Sequence, residues 1–366
     1  MLENVKLTRE QVVFLIFIGA LGNMVYSHTW IDDATDRAAW VATFAGILLV
    51  IPLAVWILFL GKRQPGRTVF DMLEAGLGRI PCAALCLLYI VLNVGLAVAM
   101  LNMFTQLLKS FFILFTPAWA SMLFMVFMAV LFVNGGLKGF ARTAELLTTL
   151  GMLNYFVSFI NAFPGFVHIE YIWPIFDTTL VDFIKGALFI TGAAGECLLF
   201  LMIIVAYIPD AGKRYMWIVV SIGSCAVVFS SAILVIIAMM GPELAKRIAF
   251  GGVNAAKIIQ IGDFLRGLEV FIFGTYQFIA IGKITICLYC AWMAGQKMLH
   301  GWKPGLQLLS LAAIILATAL WLNSYSEAYH LAVLLDGYVI LPFSLLVLLL
   351  ASASIFLFRK ETGNTK

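Results

Sequence analysis

Between Val12 and Phe358 this chain offers no polar stretch long enough to fold around a core of its own; apolar runs follow one another across short connections. Each run is long enough to cross a hydrocarbon core of about 30 Å as a helix. The composition points the same way: 63% of the residues are hydrophobic and 11% charged, against roughly 25% charged in soluble domains. A soluble enzyme or nucleic-acid-binding module is excluded, and the net charge of +4 reflects only where the basic residues fall.

The runs divide into ten spans: about Arg9 to Ser27, Ala38 to Leu60, Cys82 to Leu108, Pro117 to Asn134, Glu145 to Phe163, Val181 to Ile208, Trp217 to Met240, Phe264 to Met293, Leu306 to Leu322, and Leu331 to Phe358. The first has a basic start, an apolar run and then Ala20-Leu21-Gly22, a layout that imitates a signal peptide. We read it as a retained span, because the same small-residue pattern returns at Gly192. Between spans 2 and 3, Val69, Phe70, Leu73, Leu77 and Ile80 recur at helical spacing; the expectation is a short amphipathic helix on the membrane surface.

One stretch organises the rest. Thr191-Gly192-Ala193-Ala194-Gly195-Glu196 lies mid-span in run 6, and Gly19-Ala20-Leu21-Gly22-Asn23 repeats its order in run 1. A carboxylate at membrane depth is a functional-site hypothesis by default. Paired glycines weaken a helix, and matching interruptions in two halves point to a transporter-type binding site. Ten spans split five and five, with repeat 1 over about 9–164 and repeat 2 over about 181–358, and an odd number per half forces an inverted repeat. Gly19 lies ten residues beyond Arg9 and Gly192 ten beyond Asp182, each roughly 15 Å deep, so spans 1 and 6 are expected to be broken and to meet at the midplane. Freed amides and carbonyls there suit a zwitterion such as an amino acid. The alternative is that the glycines only permit close helix packing.

Orientation follows from the basic residues. With both termini cytoplasmic, Lys62, Arg63, Arg67, Arg79, Lys138, Arg142, Lys213, Arg214, Lys297, Lys303, Arg359 and Lys360 lie inside, while Asp32, Asp33, Asp36, Glu170, Asp177 and Asp182 lie outside. Arg37, Lys109, Lys246 and Arg247 are exceptions.

Other polar residues admit two readings each. Tyr89, Asn93, Asn102, Asn154 and Ser158 either face the cavity or form interhelical hydrogen bonds. Arg266 and Glu269 are spaced as an intrahelical pair. Lys283, in the inner half of span 8, either snorkels to the interface or acts as a fixed cation in place of a metal ion against span 1. Glu196 either binds ligand or is satisfied by Asn23 or Asn154. The six cysteines read as packing residues despite the Cys287–Cys290 spacing, and the four scattered histidines suggest no metal site. No nucleophile and base are placed for catalysis.

These motifs resemble a known family, the B-type permease subunit of bacterial spore germinant receptors, a branch of the amino acid-polyamine-organocation superfamily with the LeuT-like fold. The resemblance spans nearly the entire chain. It rests on Leu7-Thr8-Arg9-Glu10-Gln11, the Pro65 to Ile80 loop, Gly139-Phe140-Ala141-Arg142-Thr143-Ala144-Glu145, Gly195-Glu196, and Asp263-Phe264-Leu265-Arg266-Gly267-Leu268-Glu269 with Lys283 and Tyr289 downstream. Span 1 departs from the family in lacking a proline after its glycine region, and Tyr276 stands where tryptophan is common. The resemblance implies an all-α polytopic membrane protein, with no cofactor, that senses a small nutrient such as an amino acid. It also implies the inner membrane of the spore and partners in an A-type membrane subunit and a lipoprotein C-type subunit. Gly19, Ala20, Gly22, Asn23, Tyr89, Thr191, Gly192, Gly195 and Glu196 are the expected ligand-binding residues, and Arg266, Glu269 and Lys283 the expected gate or cation surrogate. A stand-alone amino acid transporter is the rival function.

Overall fold

The computed structural model describes residues 6–22, 27–175, 177–211, 214–258, 269–299, 301–322 and 324–363, and the regular structure among them is entirely helical. Helix α1 (Arg9–Leu21) begins at Thr8, whose hydroxyl accepts the Gln11 amide at 3.3 Å while the Gln11 side chain accepts the Thr8 amide at 3.1 Å. This reciprocal cap satisfies two donors that a helix start leaves orphaned. Helix α2 (Ser27–Thr35) follows, then α3 (Ala39–Leu48) and α4 (Val50–Arg63), which form one rod interrupted at Leu49. Pro52 accounts for that interruption, since it has no amide to give the Leu48 carbonyl.

Short α5 (Val69–Leu77) leads to the longest helix, α6 (Arg79–Phe111), followed by α7 (Ala118–Asn134) and α8 (Gly136–Phe166). The second half runs through α9 (Leu180–Ala194), α10 (Glu196–Ile204) and α11 (Tyr215–Met240). Two short helices, α12 (Pro242–Ala245) and α13 (Gly251–Ile258), precede α14 (Glu269–Met298) and α15 (Pro304–Trp321). The last rod consists of α16 (Tyr325–Leu334), a five-residue π turn at Leu335–Val339, and α17 (Ile340–Gly363).

Seven helical segments among the described residues are long and apolar enough to cross a membrane: Thr29–Arg63, Arg79–Phe111, Leu180–Tyr207, Tyr215–Met240, Tyr276–Met298, Pro304–Trp321 and Tyr325–Ile355. The other expected spans coincide with α1, α7 and α8. Side-chain hydrogen bonds join neighbouring helices. Ser221 donates to Val13 O at 2.7 Å, Ser230 to Trp40 O at 2.6 Å, and the Trp56 indole to Ser352 at 2.9 Å, each removing a polar group that hydrocarbon could not satisfy.

The segment from His28 to Arg37, left between spans 1 and 2 in the sequence reading, is largely helical. Trp30 stacks on Phe189 with ring centroids 3.8 Å apart, Ile31 is fully buried, and Gly186 leaves room for Thr35; packing on α9 therefore overrides the polar composition. The short helix expected between spans 2 and 3 is present as α5, with its apolar face turned to neighbouring helices. Its apolar residues Val69, Phe70, Met72 and Leu73 are buried against α6 and α17, and Ser354 donates to Met72 O at 3.1 Å.

Two exceptions to the charge bias are neutralised locally. Arg37 lies 3.5 Å from Asp177, and Lys246 lies 2.6 Å from Asp36 and 3.3 Å from Glu243.

Candidate functional site

Helices α1, α10 and α14 converge around Glu196. Gly19 on α1 faces Cys197 of α10, where a β-carbon would rest in ordinary contact, 3.5 Å from Cys197 Cα. Gly22, one turn further on, leaves space for the stem of Lys283, which any larger residue would overlap. That stem carries the Lys283 ammonium to 2.6 Å from Glu196 Oε2, and the two side chains are only 2% and 4% exposed. Snorkelling is ruled out for Lys283, because the side chain turns inward to a carboxylate. The reading of Lys283 as a cation set against span 1 describes its position, and its partner, Glu196, belongs to span 6.

The interruption in span 6 is smaller than expected. Only Gly195 separates α9 from α10, its φ and ψ of −63° and −11° remain helical, and its amide still donates to Thr191 O at 2.9 Å. No unwound stretch presents freed amides at Glu196. Packing explains this: Thr191 donates to Gly46 O at 3.0 Å and Ala187 O at 2.8 Å, and Gly192 lies against the Asp336 carbonyl so closely that a β-carbon would overlap it. In span 1, helix α1 runs to Leu21, and residues 23–26, where the expected break would continue, lie outside the described residues.

The remaining expected residues scatter. Ala20 is buried in the core beside this crossing. Tyr89 is fully buried and donates to Leu199 O at 2.6 Å, tying α6 to α10. Asn93 and Asn102 bond to backbone carbonyls, Asn102 reaching Ala319 O on α15 at 3.0 Å. Asn23 and Arg266 lie outside the described residues, as do the side chains of Asn154, Ser158 and Glu269.

Sequence reasoning missed Asp336. It is fully buried in the π turn, and with Glu196 and Lys283 it lies within electrostatic reach of the Cys287 thiol. π turns inserted in α-helices occur often at functional sites. A carboxylate inside the tenth apolar run was the signal available.

The chain's sequence matches the family model described as "Spore germination protein" over residues 6–328, nearly its whole length. It belongs to that family of spore germination proteins. A curated relative, "Spore germination protein YndE" of Bacillus subtilis (strain 168), is 17% identical over 289 residues, covering 78% of this chain and 79% of the relative. The resemblance read from the motifs is borne out at the level of a germination permease. In this family member, the Glu196–Lys283 pair is the most deeply buried ion pair among the described residues.

Proposed function

We propose that this chain is the nutrient-sensing membrane subunit of a spore germinant receptor and not an enzyme. In this reading it binds a small zwitterion of the amino acid type where spans 1, 6 and 8 meet. The observation that carries the reading is the buried Glu196–Lys283 pair. Moving two charges out of water is costly, and a buried pair stabilises little compared with apolar packing of the same volume. As a recognition device the arrangement has a clear use. A ligand ammonium replaces Lys283 at Glu196 and a ligand carboxylate replaces Glu196 at Lys283, so the protein exchanges partners without desolvating new charges of its own.

Helix packing supports a LeuT-like five-plus-five inverted repeat. Exchanging spans 1 to 5 for spans 6 to 10 carries one set of contacts onto the other: span 1 packs on 5 and 7 as span 6 packs on 10 and 2, and span 3 packs on 9 and 10 as span 8 packs on 4 and 5. With the basic ends cytoplasmic, the spore inner membrane is the proposed location, and an A-type subunit and a C-type lipoprotein are the proposed partners.

The experiment separates receptor from stand-alone transporter. Spores lacking this gene should lose the response to one nutrient, while uptake of that nutrient by growing cells is unchanged. Normal germination with impaired uptake would favour the transporter.

A further inference from the structure

A cavity of about 360 Å³ opens away from the ion pair, at the basic end of the bundle. Its walls come from three places in the chain: Lys6 before α1, Gly61, Lys62, Pro65 and Gly66 at the end of α4, and the connection from Ala206 to Ala211 beyond α10. Short-range contacts hold the three together. The Leu7 amide donates to Tyr207 O at 3.1 Å, which places Lys6 at the rim, and Gly61 lies so near Val205 that a β-carbon would overlap Val205 Cγ2. Gly66 turns the chain with φ of 75°, a conformation that residues with a side chain rarely adopt. The floor is apolar, with Tyr207 and Ile208 buried, whereas Lys6, Lys62 and Asp210 at the rim are exposed. Among the described residues these three charges enter no ion pair. The cavity also lies at headgroup level. The Arg9 guanidinium stands 5.4 Å from the Trp217 ring centre and that of Arg63 stands 4.6 Å from the Phe59 ring centre, basic and aromatic side chains together as at a membrane–water interface.

We propose that this cavity is a phospholipid headgroup site, which takes the phosphodiester of an anionic lipid such as phosphatidylglycerol between Lys6 and Lys62. Basic residues at the end of a span attract anionic headgroups, and the attraction is short-ranged, so a pocket that places two ammonium groups at one rim concentrates it. The volume falls within the range of small-molecule pockets, roughly 300–1,000 Å³, and the apolar floor covers the carbon atoms beside the phosphate. Asp210 makes the site selective. Its carboxylate repels a bare phosphate dianion and accepts hydrogen bonds from headgroup hydroxyls, so a phosphodiester that carries donors fits better than free phosphate. Because the cavity joins the start of span 1 to the ends of spans 2 and 6, a bound lipid clamps three spans at once.

The test uses the full-length protein in nanodiscs of phosphatidylcholine with and without phosphatidylglycerol, read by thermal melting and by native mass spectrometry of retained lipid. Wild type should melt higher with phosphatidylglycerol and retain it selectively, and inorganic phosphate added to phosphatidylcholine discs should give no gain. Lys6→Gln and Lys62→Gln should each weaken retention roughly fivefold, about 1 kcal/mol, with melting in phosphatidylcholine alone unchanged, and Lys62→Arg should keep the gain. Lys303→Gln, which removes a charge outside the cavity, should behave as wild type. Equal losses from Lys303→Gln and the cavity variants would mean diffuse surface attraction and overturn the site. So would a gain from inorganic phosphate as large as that from the lipid, which would mark a site for soluble phosphate, or a wild type indifferent to phosphatidylglycerol. Each of these outcomes leaves the reading of Glu196 and Lys283 as it stands.

Discussion

Lys283 and Lys297 lie fourteen residues apart on nearly the same face of α14, and each ends in an ion pair with a different helix. Lys283 meets Glu196 of α10, whereas Lys297 meets Asp71 at 2.5 Å and Glu74 at 2.8 Å on α5. Span 8 is thus pinned twice, at membrane depth and at the basic end of the bundle, with roughly 21 Å between the pins.

The deeper pin predicts a coupling. Lys283→Met leaves a buried carboxylate without its ammonium and should destabilise the protein by about 3–5 kcal/mol, while Lys283→Met with Glu196→Gln should recover most of that loss. Thermal unfolding in detergent of the two single variants and the double measures the interaction. Additive losses would mean that the pair does not act as a unit.

The pin at the basic end predicts a pH dependence. Burial pushes the Asp71 carboxyl up, but the Lys297 ammonium and the Thr68 cap outweigh it and hold Asp71 below the usual carboxylate range. A carboxyl depressed on folding contributes stability above its unfolded value, near 3.9, and loses it as pH falls through the folded value. Melting should therefore show the full, pH-independent contribution of this pair between pH 5 and 8 and a loss below about pH 4, and Asp71→Asn should remove the acidic step.

Gly192 makes a steric prediction. Its missing β-carbon is replaced by the Asp336 backbone carbonyl, which cannot move aside as a side-chain tip would. Gly192→Ala should cost about 1–3 kcal/mol and displace the π turn. Unchanged melting would show that spans 6 and 10 are not in close contact there.

We propose that the ammonium of Lys283, 2.6 Å from Glu196, stands in for a metal ion at the crossing of spans 1, 6 and 8. Nutrient binding should then be the same in sodium and in choline buffers. Isothermal titration in both checks this, and tightening in sodium would contradict it.

How much of this was legible in the sequence follows from the range of each interaction. The spans, the short helix between spans 2 and 3 and the glycine pairs are local patterns, and they were readable. The partner of Glu196 was not, because Lys283 lies on another span and no local spacing links the two. Helix α2 was missed for a related reason: Asp32, Asp33 and Asp36 suggest a loop, while burial of Trp30 and Ile31 against α9 decides the outcome. The glycines of span 6 were read as a break because propensity alone disfavours them in a helix. Close contact with Asp336 and the Thr191 hydrogen bonds hold that stretch helical.

The central claim, that Glu196 recognises the nutrient, is tested most directly by the germinant dose–response of spores carrying Glu196→Gln at normal membrane abundance. This account predicts a shift of about tenfold or more to higher concentration, equivalent to roughly 1.4 kcal/mol. An unchanged dose–response at normal abundance would contradict it.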